Sequence, residues 1–116
     1  EHYINVADTA RKMLEISNVT FEKCDIKQKQ FDEKYELIIA CAVHNWIGLP
    51  LDKFVELIDN LLNDKGYFLL ESNSIEMVDK NFNQWLNGFT TLGYKVVHKS
   101  RTVSKIGIRE AVLFIK

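Results

Sequence analysis

Seven consecutive apolar residues, Leu37-Ile-Ile-Ala-Cys-Ala-Val43, run without the polar–apolar alternation of a half-exposed strand. A run this short and this uniformly apolar marks a strand covered on both faces. It is also the longest such run, far short of the roughly 20 residues a membrane helix needs. Tyr67-Phe-Leu-Leu70 repeats the signature. Between the two, Leu51, Phe54, Val55, Ile58, Leu61 and Leu62 recur at the spacing of one helical face. Pro50 suits the start of that helix, since its missing N–H costs nothing in the first turn. Gly66 is placed to end it with positive φ. Two buried strands joined through a helix form the unit from which mainly parallel sheets are built.

The flanking segments extend the pattern. Tyr3, Val6, Ala7, Ala10, Met13 and Leu14 make an apolar stripe on a first helix, closed by Asn18. Val19 to Cys24 is a strand candidate ending at Asp25, and residues 27–34 read as loop. Ser72 or Ser74 can cap a third helix, whose stripe is Val78, Phe82, Trp85, Leu86, Phe89 and Leu92, with Gly93 as its stop. Two last strands, near Tyr94–Val103 and Ile108–Ile115, flank the hairpin connection Ser104-Lys-Ile-Gly107. The order is αββαβαββ. It predicts one α/β domain over residues 1–116, with a five-stranded, mostly parallel sheet, helices on both faces and an antiparallel pair at the end.

Composition narrows the class. Of the 116 residues 47% are hydrophobic, and 15 Lys+Arg stand against 16 Asp+Glu, which excludes a disordered chain and a dominant electrostatic partner. No charged-then-apolar leader opens the chain. Cys24 and Cys41 each sit in an apolar strand-like segment, so they read as reduced, buried thiols of a cytoplasmic protein. The chain begins with Glu1 rather than Met; initiator methionine is rarely removed before Glu, so Glu1 is not the expected natural start.

In an open parallel sheet, ligands bind outside the carboxyl ends of the strands. Three segments qualify here: Asp25-Ile26, Ala42-Val-His-Asn-Trp46 and Glu71-Ser-Asn-Ser74. Taken alone, Asp25 suits a turn, and Glu71 before Ser-Asn-Ser suits a helix-capping arrangement. His44 has no nucleophile or carboxylate at motif spacing, which favours a structural or solvent-facing role over proton transfer. Trp46 and Trp85 fit a core or groove lining as readily as a ligand contact. No metal-ligand spacing occurs.

The stretch from Phe31 to Ile47, with its apolar run ending in Ala-Val-His-Asn-Trp, resembles the fourth strand of class I S-adenosylmethionine-dependent methyltransferases. Leu61-Leu-Asn-Asp-Lys-Gly-Tyr-Phe-Leu-Leu-Glu71 resembles that family's helix end, glycine turn and fifth strand. Asn18 to Ile26 resembles its third strand. The likeness implies a Rossmann-like methyltransferase fold with S-adenosylmethionine as cofactor. It implies an adenine contact from Asp25 and the Ile26 N–H, where a carboxylate facing the amine forms a charge-assisted pair. Cys41, Ala42 and Trp46 would line the methionine end, with Trp46 closing over the sulfonium. His44 would be the candidate proton acceptor.

The departures matter as much as the matches. The family's first strand carries a G-x-G turn and its second ends in an acid that grips the ribose. Here Gly48, Gly66, Gly88, Gly93 and Gly107 never fall closer than five apart, so that cradle is absent. The chain therefore reads as the C-terminal portion of the fold, a truncated methyltransferase without the full cofactor site. The alternative is a non-catalytic oligomeric binding module on the same fold. In the family's strand order, 3-2-1-4-5-7-6, losing strands 1 and 2 opens a gap of roughly 9–10 Å and leaves strand 37–43 as an exposed edge. Three arrangements would relieve that edge: residues 19–25 shift over to pair with it, a second copy of the chain supplies a strand, or an N-terminal segment completes the sheet. The favoured one is a homo-oligomer through the edge, a dimer foremost. Neither a membrane nor nucleic acid is expected. Residues 95–116 carry six basic residues and one acid, which fits a guarded sheet edge better than a nucleic-acid contact.

Overall fold

The computed structural model describes residues 2–116, which divide into two compact units, one ending at Gln30 and the other running Phe31–Lys116. In the first, α1 spans His2–Met13. It ends by a Schellman turn in which Ile16 N–H donates to Arg11 O at 3.0 Å and Glu15 N–H to Lys12 O at 3.1 Å. Glu15 takes the left-handed position, φ 54°, so the helix stops well before Asn18. None of its residues is buried. The strand expected over residues 19–24 is absent, and Val19 and Phe21 are exposed. A strand exists through its ladder, and within this unit no second extended segment offers one.

The second unit holds a four-stranded mixed sheet rather than the five-stranded, mostly parallel one expected. Its elements are β1 (Tyr35–Cys41), α2 (Leu51–Leu61), β2 (Leu62–Glu71), α3 (Phe82–Thr91), β3 (Lys95–Ser104) and β4 (Gly107–Ile115). The strand order is β1-β2-β4-β3, with β1·β2 parallel and the other two pairings antiparallel. This is the order 4-5-7-6 that the resemblance implies for its last four strands. β1 is an edge among the described residues.

Pro50 precedes α2 as its sequence position suggests. Past Leu61 the chain turns extended at once, Leu62 having φ −94° and ψ 132°. The register then jumps from Tyr35↔Leu62 to Leu37↔Tyr67, so residues 63–66 loop out before the regular ladder. Lys65, not Gly66, adopts positive φ there, at 64°. Gly66 is needed for space instead: a Cβ would lie 2.8 Å from Asn63 O and from Leu62 Cγ. α3 starts at Phe82, later than a Ser72 or Ser74 cap would place it, and Asn81 at its N-cap makes no side-chain capping bond. Gly93, with φ 95°, ends it.

The core lies between the sheet and the two helices. Phe54, Val55 and Ile58 of α2 and Phe82, Leu86 and Phe89 of α3 pack with Ala40, Phe68, Leu70, Val112 and Phe114 of the strands. Each fully buried Phe contributes about 1.5–3 kcal/mol by removal from water. Both helices of this unit cover the same sheet face. The opposite face leaves Leu37 and Ile39 52% and 57% exposed. Side chains alternate along a strand, so Cys41 shares that open face and is exposed while Ala40 is buried. Cys24 is exposed as well. The expectation of buried thiols fails because the run is apolar on a face the unit does not cover.

Candidate functional site

The carboxyl ends of the parallel pair β1·β2 bring residues 41–47 and 71–79 side by side. Ala42 N–H donates to Glu71 O at 2.9 Å, the last rung of the ladder. Ala42 itself is left-handed, φ 55°, a conformation that costs a non-glycine residue about 1–2 kcal/mol. The chain thereby leaves the strand abruptly. Trp46 N–H and Ile47 N–H then both donate to Val43 O, at 2.8 and 3.2 Å, closing a tight turn. Trp46 projects from it 73% exposed, outside the core, while His44 points inward and is 1% exposed.

His44 is enclosed by aromatic rings and one carboxylate. Its ring centroid lies 4.8 Å from that of Trp85, edge to face, and 5.8 Å from that of Phe82. Asp79 Oδ2 sits 2.7 Å from His44 Nε2, both side chains being essentially fully buried. The approach is not a hydrogen bond, and neither Nε2 nor Nδ1 has a hydrogen-bond partner among the described residues. Burial holds the imidazole below the usual histidine range, against the opposing pull of Asp79. The His44 side chain is almost fully buried, although it sits just past the carboxyl end of β1.

Asp79 also accepts the Asn73 N–H at 3.1 Å, and Asn73 Nδ2 donates to Ala42 O at 3.2 Å. Sequence reasoning missed Asp79. It lies 35 positions from His44, inside a stretch read as helix, and only the folding of residues 72–81 into irregular turns brings the two together. Ser72 Oγ, expected as a helix cap, instead accepts the Glu110 N–H of β4 at 2.8 Å. Glu71, expected near a cap, pairs with Arg109 at 3.1 Å.

Asp25 and Ile26 belong to the first unit. Asp25 Oδ1 accepts the Lys27 N–H at 3.0 Å and its carbonyl accepts from Gln28 and Lys29, a side-chain-closed turn. Lys27 Nζ stands 3.9 Å from the other carboxylate oxygen. The adenine contact implied for Asp25 would thus use a carboxylate already holding its own turn. Among the described residues no cluster of three or more His, Cys, Asp or Glu is arranged to hold a metal. Among the same residues no helix is long and apolar enough to cross a membrane.

A parallel β–α–β step continued by an antiparallel pair is the α/β arrangement that the resemblance to class I S-adenosylmethionine-dependent methyltransferases implies for their last four strands. A family model described as a methyltransferase domain matches residues 1–106, and the chain belongs to that family. The N-methyltransferase NodS from Bradyrhizobium japonicum is similar in structure, with TM-score 0.74 and 13% identity over 92% of this chain. Its complex with S-adenosyl-L-homocysteine gives 0.76 and 12% over 96%. A methyltransferase from Pyrococcus furiosus gives 0.69 and 18% over 99%. The chain spans 65% and 61% of the two NodS chains and 58% of the Pyrococcus one. Among curated proteins none matches.

Proposed function

We propose that the second unit carries the methionine end of an S-adenosylmethionine site, and that the domain serves methyl transfer as part of a class I methyltransferase. The observation behind this is the left-handed turn at Ala42, which ends β1 and leaves Cys41 and Trp46 exposed at the carboxyl edge of the parallel pair. A ledge of backbone and one aromatic ring suits a sulfonium, whose charge is drawn to an aromatic face. Cys41, Ala42 and Trp46 are the residues that would hold that end of the cofactor. When bound, the cofactor supplies an electrophilic methyl group; the residues of this chain supply position, which is most of what an in-line displacement requires.

The fit does not extend to the rest of the cofactor. No two glycines of this chain are close enough for a G-x-G turn. The reading is accordingly a partial site, with affinity below that of a complete one. Calorimetry and thermal shift with S-adenosylmethionine and S-adenosylhomocysteine test it. Measurable heat and a raised Tm, both reduced in Trp46→Ala, are expected. No heat and no shift at millimolar ligand overturn it for this chain.

A further inference from the structure

One carboxylate oxygen at the strand ends serves two branches that return to the same segment. Asp79 Oδ2 meets His44 Nε2 at 2.7 Å and accepts the Asn73 N–H at 3.1 Å. Asn73 then reaches Ala42 O from Nδ2, at 3.2 Å. One branch therefore holds residue 42 through hydrogen bonds and the other packs against residue 44, on either side of Val43. Asp79 is itself fixed from both sides: its N–H donates to Ser74 O at 2.8 Å, and its carbonyl accepts the Phe82 N–H at 3.0 Å. That places it between the turn following β2 and the first residue of α3.

Two features say that the arrangement does more than fill space. A left-handed alanine persists only where its surroundings over-determine it, and here the fasteners on its two sides are Glu71 and Asn73. A carboxylate buried beside aromatic rings is costly, and an apolar side chain would fill the same volume with no such cost. The side chains of His44 and Asp79 are almost fully buried, so their influence on the exposed Trp46 is indirect.

We propose that Asp79 is a positioning residue which, through His44 and Asn73, fixes the Ala42–His44 turn and so sets where Cys41, Ala42 and Trp46 stand at the strand ends. Its consequence for ligand affinity rests on the cofactor reading above. Asp79 holds the shape of the ledge from beneath, and the geometry of the turn is lost when either branch is cut.

The test uses the full chain, isotopically labelled, as wild type, Asp79→Ala, Asp79→Asn and Asn73→Ala. Without ligand, hydrogen exchange at the Ala42, Trp46 and Ile47 amides is compared with that at Leu69, Leu70 and Phe114. In Asp79→Ala the first group should lose roughly tenfold or more of its protection while the second group is unchanged, a local opening rather than global unfolding. Asp79→Asn, which keeps an acceptor for Asn73, should restore part of it. Asn73→Ala cuts only the Ala42 branch and gives the reading should Asp79→Ala not fold; Ala42 must then lose protection. Retained protection at Ala42 in both Asp79→Ala and Asn73→Ala overturns the positioning role, whatever the ligand does. Titration with S-adenosylhomocysteine is read separately: roughly tenfold weaker binding by Asp79→Ala extends the role to the ligand. Loosened amides in a chain whose wild type binds no S-adenosylhomocysteine uphold the positioning role and remove the cofactor reading.

Discussion

Tyr94 Oη donates to Asp59 Oδ1 at 2.8 Å, joining the residue before β3 to the last turn of α2. Lys116 comes to the same carboxylate at 3.2 Å and donates to Asp59 O and Leu62 O at 2.7 and 3.2 Å. A cation thus occupies the carbonyl end of α2, where the helix dipole favours it. Three distant segments are tied at a helix that has no capping glycine. Tyr94→Phe removes one charge-assisted bond without opening a cavity, and about 1–2 kcal/mol of stability should be lost in urea unfolding. An unchanged midpoint would show that the tie carries no net stability.

The same phenol should be silent in ordinary alkaline titration. Burial, followed by the hydrogen bond to Asp59, pushes Tyr94 well above the usual tyrosine range. As pH rises past about 10, the unfolded chain releases that proton and the folded chain keeps it, so stability falls with rising pH. Absorbance near the tyrosinate band should contain a last step that coincides with unfolding and disappears in Tyr94→Phe. A step from Tyr94 that is complete before unfolding begins would contradict the geometry.

At the other end of the scale His44 acts with the opposite sign. Burial lowers its pKa in the folded state, so between the unfolded value near 6.5 and the folded one the unfolded chain binds the extra proton. Its contribution is present above that window and is lost as pH falls through it. Urea midpoints measured from pH 8 to pH 5 should decline, and His44→Phe should flatten that limb. The same decline in His44→Phe would assign it to other groups.

How much of this was legible depended on where each pattern found its partner. The run Leu37–Val43 announces β1, Pro50 the start of α2, Gly93 the end of α3, and Ser104–Gly107 the hairpin, because each signal is local and acts on its own backbone. Val19 to Cys24, where Val19, Phe21 and Cys24 are interrupted by Thr20, Glu22 and Lys23, makes no strand, since a ladder is a property of two segments. Gly66 looked like a helix stop, yet the loop-out of residues 63–66 shifts the left-handed position to Lys65. At the site, Ala42 and Trp46 lie where a strand end predicts. Asp79 could not be read at all: its pairing with His44 is made by irregular turns, which carry no periodicity.

The contact of α2 with α3 gives the last expectation. Gly88 lies mid-helix in α3, where glycine costs about 1 kcal/mol relative to alanine, so Gly88→Ala should stabilise on propensity alone. The packing opposes this. A Cβ at Gly88 would stand 2.8 Å from Val55 Cγ2 and 3.3 Å from Leu51 Cδ1. Val55 is buried and β-branched, with little rotamer freedom to move aside. Overpacking of this kind costs about 1–3 kcal/mol, which exceeds the helical gain. Gly88→Ala should therefore destabilise by about 1 kcal/mol. The double variant Gly88→Ala/Val55→Ala separates the two effects, because it removes the clashing methyls. Its loss should be smaller than the sum of the single losses, as expected for residues in contact. Additive losses would mean that the two helices relax apart and that the close approach at Gly88 is not a constraint on the fold.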